Sequence, residues 1–307
     1  MTISRHITEY AGLPIAEFTS RSTPDVPAAG HAWRVRAEGY KEGAFAKLWA
    51  RFLDTVDTAE VTALVVGYWG PSERGNANYP VSLVADAADR FPNLRSLFFG
   101  EIVLEESEVS WIEHGDIGPL LAAFPDLERF DVRGSEGLRL EPLKSDALKT
   151  LRFETGGLPA DVVRAVGASE LPALEHLDLW LGTDEYGGSA TVADLAPVLG
   201  GERFPALRHL GLENAEIADE IAAALAGAPV VARLESLSLA LGALGDEGAE
   251  ALLAGQPLTH LRKLDLHHHF VTDPMIERVR AALPGVDVDL AEQEDPDEDW
   301  RFVAVAE

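Results

Sequence analysis

Three consecutive histidines, His267, His268 and His269, are the densest group of potential metal ligands in the chain. Neutral imidazoles bind zinc, copper or nickel, but a site needs three or four converging donors. On a strand, His267 and His269 would face alike, with Asp265 on the same face. A surface run at a strand end, with His268 filling a structural place, is the simpler reading, so no metal and no cofactor is expected. Asp184/Glu185 and Glu105/Glu106 have the residue types of an acid–base pair, yet acidic runs are ordinarily solvated faces. The chain contains no P-loop, no GxGxxG after a strand and no GxSxG. GDIG (115–118) and GDEG (245–248) carry an acid that would repel phosphate, so they read as turn-to-helix starts. No catalytic motif is present, and the expectation is a protein that is not an enzyme.

Composition narrows the partners. The 307 residues include 52 acidic and 25 basic side chains, a net charge of −27. Phosphate contacts need a basic face, so nucleic acid is not an expected partner, and an anionic membrane is disfavoured for the same reason. A hydrophobic fraction of 47% is ample for a core. No run of about 18 uncharged apolar residues suggests a membrane span. Cysteine is absent, which removes disulfides, thiolate catalysis and cysteine-ligated metals. The opening residues MTISRHITEYAGLPIAEF lack the basic start, apolar core and cleavage site of a secretory signal, and the expected location is cytoplasmic.

The elements that must position any site come from a repeat. The pattern apolar-x-x-apolar-x-apolar starts at Val61, Leu94, Leu127, Leu148, Leu174, Leu207, Leu234 and Leu261, at intervals of 33, 33, 21, 26, 33, 27 and 27 residues. The end of each unit alternates with period two, as a strand does. A single such strand cannot hide its apolar side, whereas eight stacked in parallel make a continuous sheet. Parallel pairing needs a crossover, and the intervals supply helices at Val81–Arg90, Thr191–Leu199, Asp219–Ala226 and Glu247–Leu253. Asp273 followed by Pro274 reads as an N-cap and first helical position. The 21-residue interval after Leu127 is too short for a full helix, so an extended or single-turn crossover is expected there.

On this fold the third, fifth and seventh positions of each unit line one face, the concave one. Its polar and aromatic group is densest from Arg129 to Glu213: Arg129, Asp131, Arg133, Arg152, Glu154, His176, Asp178, Trp180, His209 and Glu213. Arginine and tryptophan are frequent binding hot spots, so these residues are the expected surface for a protein or peptide, one with a basic patch given the acidity of the chain. The alternative is that Asp131, Arg152 and Asp178 simply pair across strands. Trp69, Trp180 and Tyr186 could form an aromatic rim, although packing of Trp69 on Phe98 is the more ordinary outcome.

The ends do not fit the repeat. Residues 1–60 read as an N-terminal cap, with a strand at His31–Gly39 and an amphipathic helix at Gly43–Val56 presenting Phe45, Leu48, Trp49, Phe52 and Leu53 on one face. The repeats are expected over 61–290, with VDVDL (Val286–Leu290) as a truncated ninth strand. Six of the nine residues in Ala291–Asp299 are acidic, a solvated linker, and WRFVAVAE (Trp300–Glu307) is expected to add to the C-terminal edge strand or to remain a tail.

These motifs carry a resemblance. LRHLGLENAEIADEIAAAL, LESLSLALGALGDEGAEALLAG and LTHLRKLDLHHHFVTDPMIERV resemble the leucine-rich repeat of the ribonuclease-inhibitor-like type, over about Val61–Leu290. The resemblance implies an α/β solenoid with parallel strands inside, helices outside and caps at both ends. The usual repeat asparagine stands clearly only at Asn214, with Gly100, Leu181 and His268 near its place elsewhere. WIEHGDIGPLLAAFPDLE, HLDLWLGTDEYGG and LTHLRKLDLHHH make the whole chain similar to a family of largely uncharacterised bacterial cytoplasmic leucine-rich-repeat proteins, often encoded beside radical-SAM-like and hydrolase-like proteins. That implies an accessory role. The expected function is a non-catalytic scaffold holding a protein or peptide on the concave face. The alternative is a small-molecule- or metal-binding accessory protein in a modification pathway, using the central patch or His267–His269.

Overall fold

The computed structural model describes residues 3–71, 79–296 and 300–307, so part of the expected acidic linker lies outside the described residues. These form an α/β protein of twelve mostly parallel strands and eight α-helices. The chain divides into two compact units, one of Ile3–Glu141 with Ala147–Leu151, the other of Pro142–Asp146 with Arg152–Glu307.

In the N-terminal unit the strands are β1 (Glu9–Tyr10), β2 (Leu13–Phe18), β3 (Ala32–Val35), β4 (Ala63–Val66), β5 (Ser96–Phe99) and β6 (Arg129–Arg133), with helices α1 (Ala44–Thr55), α2 (Val81–Ala85) and α3 (Gly118–Ala123). β1 and β2 form an antiparallel hairpin through Ala11 and Gly12, both at positive φ as a two-residue turn requires. From β2 to β6 the pairing is parallel and in consecutive order, with Ala32, Ala63, Ser96 and Arg129 in one register row. The helix expected at Gly43–Val56 is α1, and it buries Phe45, Leu48, Trp49 and Phe52. Phe52 packs 5.2 Å from Phe18 and 5.8 Å from Trp33, centroid to centroid, while Trp49 stacks on Phe91 at 5.8 Å. Trp69 is buried as expected, but it stacks on Phe99 at 5.4 Å rather than on Phe98.

In the C-terminal unit the strands are β7 (Thr150–Glu154, whose first two residues belong to the other unit), β8 (His176–Gly182), β9 (His209–Ala215), β10 (Ser236–Ser238), β11 (Lys263–Asp265) and β12 (Asp287–Asp289). The helices are α4 (Ala160–Ala168), α5 (Val192–Leu199), α6 (Ala218–Leu225), α7 (Asp246–Ala254) and α8 (Asp273–Ala282). β8 to β12 pair in parallel, with His176, His209, Ser236, Lys263 and Asp287 in one row. α5 begins with a capping box between Thr191 and Asp194. Thr272, not Asp273, is the N-cap of α8, and Asp273 and Pro274 open the first turn. No helix separates β6 from β7, as the short interval demanded.

All eight repeat starts give a strand two residues later. Their fourth-position side chains, Leu64, Leu97, Phe130, Leu151, Leu177, Leu210, Leu237 and Leu264, are at most 1% exposed. Each such burial stabilises by roughly 1.5–3 kcal/mol. Four of the eight units carry a left-handed residue at the eighth position: Gly134 at φ 98°, and Asn214, Leu241 and His268 at φ 51°, 66° and 56°. His268 thus shares the repeat position of Asn214, and its Nδ1 lies 3.3 Å from the Gly242 carbonyl.

Residues 300–307 form no strand, which corrects the expected edge addition. They lie instead against the end of β9, the residues after β10 and the start of α6. The Ala304 amide donates to the Leu241 carbonyl at 2.8 Å, the Val305 amide to Asn214 Oδ1 at 3.0 Å, and Arg301 pairs with Asp219 at 2.9 Å. Phe302 packs edge-on against Phe270 at 5.3 Å. The segment is β-prone, but its backbone bonds to Asn214 and Leu241 and not to the edge of β12.

Candidate functional site

The third, fifth and seventh positions of the repeats are not uniformly open. In the N-terminal unit, residues 3–12 lie over that face. Tyr10 packs with Ala32, Ala63, Val65 and Phe98, joined by Ile7, Leu13 and Ile15. Its hydroxyl donates to Asp131 Oδ2 at 2.7 Å. Burial and the Asp131 charge push the phenol well above its usual range, so it stays protonated as a donor. Asp131 also accepts from Arg129 at 2.7 and 3.0 Å. Arg133 donates to the Ile102 carbonyl at 2.9 Å and lies over Phe98. Asp131 and Arg133 are therefore buried and internally satisfied, which corrects their placement on an open binding face. Sequence reasoning treated residues 1–60 as an end cover, and nothing in their local pattern showed that β1 would fold over this face.

The same unit contains an isolated buried imidazole. His114 lies 2.8 Å by Nε2 from the Arg133 carbonyl and packs against Trp69 and Phe99. Burial pushes its pKa down to about 4, only partly offset by that hydrogen bond. Between pH 6.5 and 4 the unfolded chain therefore binds a proton that the folded unit refuses, and stability falls as pH falls. Lowering the pH from 7 to 4.5 is expected to cost the N-terminal unit about 2–3 kcal/mol from this residue alone. Urea midpoints followed by tryptophan fluorescence check this; an equally steep loss in His114→Gln would assign it elsewhere.

The C-terminal unit keeps part of its face open. His176 and His209 sit opposite each other on β8 and β9, their rings stacked at 4.0 Å and 13°. Both converge on one carboxylate: His176 Nε2 is 2.7 Å from Asp178 Oδ2, and His209 Nε2 is 2.8 Å from Asp178 Oδ1. Asp178 reaches across to β9 because position 211 is glycine; a Cβ there would stand 2.2 Å from Asp178 Oδ1. His209 Nδ1 lies 2.6 Å from Ser236 Oγ on β10. Burial would raise the Asp178 carboxyl, but hydrogen bonds from the two imidazoles outweigh it and hold the group far below the carboxylate range. The side chains of His176 and His209 are 39% and 20% exposed, whereas that of Asp178 is 8% exposed.

Around this trio the remaining expected residues pair with one another. Arg152 is 2.8 Å from Glu154 and 3.5 Å from Asp178, and its guanidinium lies over Trp180. The Trp180 indole donates to Glu213 Oε2 at 2.7 Å, and Ser238 donates to the other oxygen. Burial, together with the Asp178 charge, raises the Glu213 carboxyl. Glu154 and Trp180 are buried, and Trp180 thus forms no exposed rim. Cross-strand pairing of Arg152 with Asp178 is present, so the bland alternative holds for that pair.

The triple histidine separates. β11 ends at Asp265 and His268 turns left-handed, so His267 and His269 do not face alike. His269 is fully buried, bonded to the Val271 amide. His267 pairs with Asp265 at 2.7 Å and, with Asp289, forms a second cluster whose donor atoms lie within 4.8 Å of one another. The trio of His176, Asp178 and His209 meets the same distance. Their two-residue and cross-strand spacing was visible in the sequence, but only the register brings them together.

The fold and this side-chain set define a repeat-like α/β protein with a polar row on adjacent parallel strands. A solved structure of a Bacteroides fragilis protein, determined by a structural genomics consortium, is similar over 88% of this chain and 77% of its own, with a TM-score of 0.77 and 27% identity. No family model matches the chain. No curated protein matches it. No helix among the described residues is long and apolar enough to cross a membrane.

Proposed function

We propose that this chain is a cytoplasmic, non-catalytic scaffold of the ribonuclease-inhibitor-like leucine-rich-repeat type, and that its C-terminal unit holds a basic segment of a partner protein. The left-handed eighth position shared by Asn214, Leu241 and His268 supports the repeat type. The observation that carries the function is the row His176, His209, Ser236 and Lys263, one residue from each of four neighbouring strands, all at least partly exposed. A flat row on a rigid ladder presents groups at the strand spacing of about 4.8 Å without loss of backbone entropy. Carboxylates at Asp265, Asp287 and Asp289 flank it, and the net charge of −27 speeds encounter with a cation.

Photo-crosslinkers at Lys263 on the row and at Glu277 on α8 test the reading, since both side chains are exposed. Capture of one salt-sensitive partner from position 263 and not from 277 is expected. The purified partner should then bind His176→Ala about 10-fold more weakly, the scale of a moderate hot spot. Equal capture from both positions, or unchanged affinity of that variant, defeats the assignment of this face.

A further inference from the structure

We propose that His176, Asp178 and His209 form a site for a divalent first-row metal ion, with Zn²⁺ as its chemical type. This does not rest on the docking reading. Two imidazole nitrogens and one carboxylate oxygen are the borderline donor set of catalytic-type zinc sites, whereas calcium and magnesium take oxygen alone.

The donor spacing is close to the one required. Both Nε2 atoms already point at the two oxygens of Asp178, at 2.7 and 2.8 Å, and all donors lie within 4.8 Å of one another. Tetrahedral zinc with bonds of about 2.0–2.1 Å places its donors about 3.3 Å apart. The trio therefore needs to open by about half an ångström, and the two rings, stacked 4.0 Å apart and 13° from parallel, must tilt toward each other about χ2, a torsion that is broad for imidazoles. Backbone pairing fixes the separation of the two histidines, since His176 and His209 are direct register partners. Exposure of both rings leaves an entry path and room for water as a further ligand.

The surroundings suit the switch from hydrogen bond to coordination. When His209 Nε2 carries a proton for Asp178, the Ser236 hydroxyl donates to Nδ1. When Nε2 coordinates, the proton sits on Nδ1 and Ser236 accepts it, at the same 2.6 Å contact. A group that fixes the other ring nitrogen in this way is the usual outer partner of a metal-bound histidine. Gly211 keeps the space beside Asp178 clear. Arg152 opposes a cation, standing 3.5 Å from Asp178, but Glu154 binds its guanidinium and Glu213 adds another carboxylate nearby. Asp178, Glu154 and Glu213 against Arg152 leave an acidic balance that a divalent ion offsets. The second cluster is poorer, because it has one imidazole and its Asp265 is held by Lys263 at 2.7 Å.

The test uses the full chain without a histidine tag, washed with chelator, and titrated calorimetrically with ZnCl₂. One equivalent is expected to bind with sub-micromolar Kd, and Co²⁺ should give the visible absorption of a tetrahedral site. His176→Gln and His209→Gln should each weaken Zn²⁺ by more than about 100-fold and abolish the cobalt bands, and Ser236→Ala by about 10-fold, as outer partners do. His267→Gln should bind as the unchanged chain does. Far-UV circular dichroism verifies folding, and His176→Gln, at an exposed ring, is the variant least able to disturb it. Wild-type affinity no better than that of His176→Gln, or loss of binding in His267→Gln, overturns the proposal and leaves the trio a hydrogen-bonded pair of imidazoles on a carboxylate. Loss of partner capture with intact Zn²⁺ binding would defeat the docking reading alone, and the reverse result this one alone.

Discussion

Replacing Asn214 with alanine is expected to destabilise the C-terminal unit by about 4 kcal/mol and to release residues 300–307 from it. The residue is fully buried at φ 51°. Its Oδ1 accepts from the Val305 amide at 3.0 Å, and its Nδ2 donates to the carbonyls of Val305 and Thr155. Alanine removes all three bonds and strands buried backbone groups, each worth about 1–3 kcal/mol. It also takes on about 1 kcal/mol of left-handed strain that asparagine largely escapes. Asn214→Gly separates the two causes, since it relieves the strain and still loses the bonds. Hydrogen exchange at Ala304 and Val305 reads the release directly; unchanged protection there in Asn214→Ala would show that Arg301 and Phe302 suffice to hold the segment.

The larger loss is expected in the N-terminal unit, from Tyr10→Ala, at about 5 kcal/mol. Removing a buried aromatic ring costs roughly 3–5 kcal/mol, and here it uncovers Ala63, Val65 and Phe98 at the same time. It also takes from Asp131, 1% exposed, the donor at 2.7 Å. Tyr10→Phe keeps the ring and should cost about 2 kcal/mol, the share of the stranded carboxylate, which Arg129 still partly satisfies. A Phe variant as damaged as the Ala variant would mean that the ring contributes little. The segment is fastened further along by His6, which sits 2.9 Å from Glu101. Burial lowers the His6 pKa, but the hydrogen bonds and charges of the Glu101 and Glu106 carboxylates, which accept from the ring, outweigh it and raise it to about 9. Its pKa is raised on folding, so its stabilisation is complete below pH 6.5 and fades as pH rises through about 9. Exchange protection of the Ile7 amide, which donates to Glu101 at 2.9 Å, should fade over that range.

Strand positions were legible because period-two alternation survives whatever covers the sheet. Every repeat start, the α1 amphipathic face and the missing crossover helix before β7 could be read from spacing alone. What covers each face was not legible. Tyr10 and Asp131 are 121 residues apart, and nothing local to EYAGL distinguishes a strand lying over a sheet from one extending it. The same limit hid the destination of WRFVAVAE, whose alternation is correct for a strand but whose backbone pairs with Asn214 and Leu241. At the candidate site, the sequence supplied all of Arg152, Glu154, His176, Asp178, Trp180, His209 and Glu213 as one patch. It could not divide them into the part-exposed His176, His209, Arg152 and Glu213 and the buried Glu154, Asp178 and Trp180, because that depends on where Gly211 lets Asp178 lean. The expectation that His267 and His269 face alike failed on a single backbone dihedral at His268.

The Tyr10–Asp131 bond has a consequence for how the chain matures on the ribosome. Synthesis is vectorial, and the tyrosine emerges 121 residues before its acceptor. Until β6 leaves the exit tunnel, the Tyr10 hydroxyl has no acceptor and Phe98 lacks the paired strand and the Arg133 guanidinium that cover it, and such exposed apolar groups attract chaperones. The nascent N-terminal unit is therefore most vulnerable through the middle of translation, and β6 is the element whose arrival closes that window.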